Sequence, residues 1–292
     1  MSAAVSSRFA PWLVACAALC WGLIGVWGRQ AQNEGVGPIE IGFWRALIAG
    51  ALFLCHALLT GAKFPRGRDL AVIAGFGLVG VSFFYSCYQL AVRLGGTSLA
   101  SVLQYSAPVF VAVLGWALLR ERLNRRDIMC IGICIAGVIL ISFGGGEGVR
   151  VTFASMAVGL IAGFSYSLYY VFGRRYFPHY EPVAVFSIMM PVGALGLLPF
   201  VSQHPANASG WLNVIGLALV CTYTAYLLHS FGLRHMPAAR ASVIAASEPV
   251  SAAMLAAILF GERLSVLAMV GAVIVIGAAV SLGRSGSDKS TA

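Results

Sequence analysis

Charge is what this sequence has least of. Of its 292 residues only 10% are Asp, Glu, Lys or Arg, and only ten are acidic. A soluble domain carries about 25%. Lysine occurs twice, as Lys63 and Lys289. So little charge cannot cover a water-facing surface, which excludes an ordinary soluble domain. No basic arm is present either, which argues against nucleic-acid binding. Catalytic motifs are missing as well. There is no H-E-x-x-H and no G-K-[ST], so zinc hydrolysis and intrinsic ATP coupling have nothing to rest on. The "GFSYS" stretch at 163–167 lacks a histidine partner for a serine protease, and Asp69 and Asp127 sit at the ends of apolar runs rather than inside them. The chain reads as a non-enzyme with no cofactor and no metal site. All seven cysteines lie in apolar runs, with no CxxC among them, and read as packing residues.

What is present is apolar bulk: 60% hydrophobic residues and a mean hydropathy of +0.88. About 20 apolar residues cross a bilayer as a helix. Arg, Gly and Pro punctuation divides the chain into ten such spans, near 9–29, 38–60, 69–91, 97–119, 127–143, 153–173, 181–200, 210–232, 239–260 and 265–282. The expected fold class is an all-α polytopic membrane protein, and the lipid bilayer is its first partner. Alternating the connections between two sides puts fourteen of the nineteen basic residues on one side and four on the other, with Arg45 inside a span. The richer side faces the cytoplasm. Both termini are therefore expected there, in a multi-pass protein of the cell's inner membrane.

The chain repeats itself. "RLGGTSLASVLQYSAPVFVAVLGWALLRERL" at 93–123 aligns with "RHMPAARASVIAASEPVSAAMLAAILFGERL" at 234–264, with Ser101 on Ser242, Pro108 on Pro249 and the two "ERL" triplets superposed. "GLIGVWGR" ending at Arg29 likewise matches "SLYYVFGR" ending at Arg174. The expected domains are 9–143 and 153–282, five spans each. Five is odd, so the second unit enters the membrane inverted. Ten transmembrane helices in two inverted five-helix repeats around a central cavity is a transporter architecture. With both repeats in one chain, a monomer suffices. Glu121 and Glu262, which open the two "ERL" triplets, are expected to cap the next helix and pair with Arg122 or Arg263.

These residues carry a resemblance. "SEPVSAAMLAAILFGERLS", its partner "APVFVAVLGWALLRERL" and "FWRALIAGALFL" in the second span resemble the EamA domain of the drug/metabolite transporter superfamily, over nearly the whole chain. The early "CWG" and the aromatic content are similar to the YddG-type amino-acid exporters. The resemblance implies a ten-helix basket, and export of aromatic and other neutral amino acids and related small metabolites by alternating access. Its alternatives are export of other metabolites or of cationic drugs such as viologens, and, more remotely, a polytopic intramembrane enzyme. In one respect the chain departs from the four-helix multidrug relatives: spans one and six hold Trp21 and Tyr166 but no carboxylate.

Depth along the spans, at about 1.5 Å per residue, selects the candidate substrate contacts. Arg45, Gln104 and Tyr105 fall at similar depth, with Tyr85, Tyr88 and Gln89 on span three and Trp21 near the midplane. Tyr166, Tyr169, Tyr223 and Tyr226 supply the second half. Together they suggest a wide aromatic pocket with few polar groups. A charge facing lipid is costly, so Arg45 should point inward. There it either clamps a substrate carboxylate or ties its span to neighbouring carbonyls. Glu248 precedes Pro249 near the midplane, where a bent helix is a common place for a transport site. It is positioned to bind an ammonium group, take up a proton or pair with Arg45, or else it is a structural residue bonded to a neighbour.

Overall fold

The structure is a computed structural model described over residues 9–144, 150–201, 207–261 and 265–285. Among these residues all regular structure is helical. Away from water, only a helix or a closed barrel satisfies every backbone group. Nine helices among the described residues are long and apolar enough to cross a membrane: α1 Ala10–Asn33, α2 Pro38–Thr60, α3 Gly67–Gly95, α4 Thr97–Leu119, α5 Arg125–Phe143, α6 Phe153–Tyr176, α7 Pro182–Phe200, α8 Ala208–Arg234 and α9 Ala238–Leu259. A further helix, α10 Val266–Ser285, has the shorter apolar stretch Val266–Leu282.

Most ends fall near the sequence boundaries. The first does not: α1 continues past Arg29 to Asn33. Nothing between Gln30 and Asn33 opposes a helix, and the chain turns only at Gly35, whose φ of +84° stops the helix. α2 begins where Pro38 fixes φ and Glu40 returns its carboxylate to the Gly37 N–H at 2.9 Å.

Helix contacts in one half recur in the other. α2 packs along α7, and α5 along α10. The C-terminal part of α3 lies on α6, as that of α8 lies on α1; the second part of α4 lies on α6, as that of α9 lies on α1. Small residues set these distances. At the α5–α10 crossing a Cβ on Gly137 would meet the Gly271 carbonyl oxygen at 2.9 Å, so only glycine permits that approach.

Among the described residues four helices depart from regular geometry in their interior, in two pairs. α3 is π-helical over Leu78–Phe83 and α8 over Leu217–Thr224. α4 is broken between Gln104 and Ala107, and α9 between Ala245 and Glu248. All four departures lie at mid-span.

At one end of the bundle, side chains cross-link the helices. Glu121 accepts from Arg174 Nε at 3.1 Å and from the Ala238 N–H, which opens α9, at 2.9 Å. Arg174 also donates to the carbonyls of Leu233 and Arg234. This corrects the expected roles of Glu121. It caps α9 instead of the next helix in the chain and pairs with Arg174 instead of Arg122, because Asn124 and Asp127 already cap α5 reciprocally. Asp127 additionally pairs with Arg240 at 2.9 Å, and Tyr180 donates to Asp69 at 2.7 Å. Glu262 and Arg263 lie outside the described residues.

Candidate functional site

The breaks at mid-span open onto a cavity of about 440 Å³. Its wall takes residues from every helix from α1 to α9. At one extreme it reaches Thr97, Ser98, Ser142 and Leu197, which lie near the ends of α4, α5 and α7 opposite the Glu121–Arg174 cross-link. At the other it ends on Trp21, Tyr226 and Tyr166. Below these rings the interior is filled. Trp21 meets Tyr226 edge-on at 5.6 Å and His229 at 5.2 Å. The Tyr170 hydroxyl donates to Tyr166 Oη at 3.3 Å, and Tyr169, Tyr170 and His229 are all buried. The cavity is thus a cup with an aromatic floor.

Nine of the twelve residues selected from the sequence line this cup: Trp21, Arg45, Tyr85, Tyr88, Gln104, Tyr105, Tyr166, Tyr226 and Glu248. The other three do not. Tyr169 lies one turn below Tyr166, within the floor, its hydroxyl 3.3 Å from His229 Nδ1 and from Ser230 Oγ. Tyr223 turns away, its ring on Phe53 and its hydroxyl 2.6 Å from His56 Nδ1. Thr222 and Tyr226, four residues apart, share the face that meets the wall, and the wider π-helical turn of α8 sets Tyr223 farther round the helix from Tyr226. Gln89 is not among the residues that line the cavity.

Several lining residues escaped the sequence reading. Thr97, Ser98 and Ser101 share one face of α4 with Gln104 and Tyr105. Their i, i+4, i+7 spacing in an apolar helix was a usable signal. Thr222 precedes Tyr226 by four residues and shares its face, a signal the sequence reading passed over. Phe84 and Met190 carry no mark that separates them from packing residues.

Two charged side chains face the cup. Arg45 Nε donates to Thr222 Oγ1 at 3.1 Å, and Thr222 Oγ1 donates to the Leu217 carbonyl at 3.0 Å. This chain of bonds orients the guanidinium. Among the described residues no protein group bonds its two terminal nitrogens, which leaves a planar fork of donors toward the cavity. Glu248 is the first residue of the helix beyond the α9 break, beside the Tyr105 hydroxyl. Among the described residues it forms no direct ion pair with Arg45. Of the sequence alternatives for Glu248, the pairing with Arg45 is therefore the one the structure lacks. The cup offers a cationic fork, a carboxylate and the rings of Trp21, Tyr88, Tyr105, Tyr166 and Tyr226. No group of three or more metal-ligating side chains occurs among the described residues.

Among known protein families, the model of the "EamA-like transporter family" matches residues 8–143 and 153–284. The chain is 28% identical over 265 residues to "Uncharacterized transporter YdfC" of Bacillus subtilis (strain 168), covering 87% of this chain and 86% of the relative. It is 26% identical over 247 residues to a "Probable amino-acid metabolite efflux pump" of Salmonella typhimurium, covering 79% and 82%. One crystal structure of a protein superposes with a TM-score of 0.83 over 95% of this chain and 99% of that one; at 19% identity it speaks for the fold alone.

Proposed function

The chain belongs to the EamA-like transporter family, with two EamA domains in a membrane-spanning chain, and from that premise we propose that it exports neutral amino acids, aromatic ones included, across the cell's inner membrane. The observation that carries this reading is the presence of Arg45 and Glu248 in one aromatic cup. A neutral amino acid has a carboxylate, an ammonium group and a side chain. The free fork of Arg45 suits the carboxylate. Glu248 suits the ammonium, and the tyrosine and tryptophan rings suit an apolar or aromatic side chain. The relative described as a probable amino-acid metabolite efflux pump supports the same substrate class.

Transport in this proposal is alternating access between two inverted five-helix repeats. The paired helix contacts, the paired π-helical turns and the paired breaks support a two-fold arrangement. With the basic side cytoplasmic, both termini are cytoplasmic and the cup opens to the opposite face. The Glu121–Arg174 and Asp127–Arg240 pairs then close the cytoplasmic side. One chain supplies both repeats, so the monomer is the transporting unit.

A second reading rests on Glu248 alone. A carboxylate among Tyr88, Tyr105 and Tyr166 also suits an organic cation of the viologen type. Flux of radiolabelled phenylalanine into liposomes holding only this protein separates the readings. Competition by Phe, Trp, Met and Thr supports amino-acid export. Absence of phenylalanine flux beside saturable flux of a radiolabelled viologen favours the cation reading, and absence of both fluxes overturns both.

A further inference from the structure

A second opening lies on the outside of the bundle. It is a groove of about 380 Å³ between α3 and α6, lined by Val72, Gly75, Phe76 and Val79 on one side and Leu168 and Phe172 on the other, with Arg175 and Tyr176 at its end. Its wall spans the nine residues of helix from Leu168 to Tyr176, about 12 Å at the usual rise, within one bilayer leaflet. Val72 and Val79 are exposed to the bilayer side.

The repeat register shows that the opening is particular to this half. At an offset of 141, Gly75 corresponds to Gly216; at 145, Phe172 corresponds to Trp27. In the second position the protein fills the space itself: a Cβ on Gly216 would meet the Trp27 ring at 3.2 Å. Trp211 and Trp44 close over the same cluster. At Gly75 a Cβ would meet nothing within 4 Å. Phe172 does not take the place of Trp27, because it stacks on Phe76 at 4.0 Å, with the rings 5° apart. The sequence thus keeps a glycine at both sites but supplies a filling ring at only one.

Charge marks the end of the groove. Arg175 is exposed there, while its neighbour Arg174 is held by Glu121. Arg66 and Arg68, at the start of α3, are exposed at the same end of that helix. Under the orientation proposed above this is the cytoplasmic leaflet, where a basic residue beside an apolar slot between helices attracts an anionic head group.

We propose that this groove binds one anionic phospholipid of the cytoplasmic leaflet, with an acyl chain over Gly75 and the head-group phosphate on Arg175. The site lies outside the substrate cup, and the proposal rests on the orientation above but not on the substrate.

The test is native mass spectrometry of the purified full chain titrated with phosphatidylglycerol or phosphatidylcholine. Two variants accompany it. Gly75→Leu puts a side chain into the slot at a position where a Cβ meets nothing within 4 Å, and Arg175→Gln removes the charge. The expected result is preferential retention of phosphatidylglycerol by the wild type. Arg175→Gln should weaken that lipid about fivefold and leave phosphatidylcholine unchanged, the effect of one basic residue at an anionic surface. Gly75→Leu should weaken both lipids while retaining the wild-type melting temperature. Equal retention of the two lipids by the wild type would overturn the proposal, as would undiminished phosphatidylglycerol binding in both variants. Flux measurements play no part, so failure here leaves the export reading intact.

Discussion

Tyr105 and Ala246 interrupt their helices with nearly the same backbone, φ −77° and ψ 7° at one, φ −67° and ψ 3° at the other. Each stands three residues before a proline, Pro108 or Pro249, which has no N–H to continue the helix. The two breaks differ in the residue that restarts the helix. Ala107 does so in α4, and Glu248 does so in α9. A shared backbone device therefore presents a carboxylate to the cavity from one half only.

Glu248→Gln keeps the shape and removes the charge. If the carboxylate holds a substrate ammonium, the lost charge-assisted bond is worth about 1.5–3 kcal/mol, or roughly 10–100-fold in substrate affinity. Melting temperature should not fall. Binding measured by quenching of intrinsic fluorescence checks this, and unchanged affinity would leave Glu248 a structural role only.

The cytoplasmic cross-link should govern which side of the cup is open. Glu121→Gln weakens both its pairing with Arg174 and the cap on Ala238, about 1–3 kcal/mol in favour of states where this face separates. Ser230 is fully buried beneath the floor. In a background without the seven native cysteines, Ser230→Cys should react slowly with a maleimide, and several times faster once Glu121→Gln is added. An unchanged rate would mean that the cross-link does not hold the gate.

Tyr180, in the α6–α7 connection, gives that face a pH dependence. Its hydroxyl donates to Asp69, and ionising it would set a second negative charge beside that carboxylate, so its pKa is raised above the ordinary value of 10.0. A raised folded-state pKa means that the bond's contribution is complete below the unfolded pKa and disappears as pH climbs through the folded one. Tyr180→Phe should accordingly melt below the wild type at neutral pH, with the gap closing in strong alkali. A gap that persists there would rule out the hydroxyl as its cause.

Much of this architecture was legible in the sequence. The apolar runs located the spans, the 141-residue offset paired stretches of the two halves, and Pro249 marked the break in α9; the matching break before Pro108 in α4 went unread. The cavity wall was only partly legible, because depth along a span gives height and not direction. Tyr223 and Tyr226 are three residues apart and looked equivalent, yet the π-helical turn sends one to Phe53 and the other to the cup. Tyr169 failed for a simpler reason, since one helical turn separates wall from floor. Glu121 was assigned to its nearest helix, whereas its partners Arg174 and Ala238 come from distant parts of the chain.

Orientation has its own test. Single cysteines replacing Lys63 or Arg66, in the α2–α3 connection, should be shielded from an impermeant reagent in intact cells and react after permeabilisation. A cysteine replacing Arg150, before α6, should react in both. The opposite pattern would invert the molecule and place the cup's mouth toward the cytoplasm.

The central claim is that Arg45 and Glu248 read the two ends of one zwitterion. It is tested most directly by binding of phenylalanine, phenethylamine and hydrocinnamate to the wild type, Arg45→Gln and Glu248→Gln in detergent. The account predicts that phenylalanine binds the wild type best and weakens about tenfold or more in each variant, the scale of one charge-assisted hydrogen bond. Phenethylamine, without a carboxylate, should lose affinity only in Glu248→Gln, and hydrocinnamate, without an ammonium, only in Arg45→Gln. Phenylalanine affinity that survives both substitutions would contradict the account.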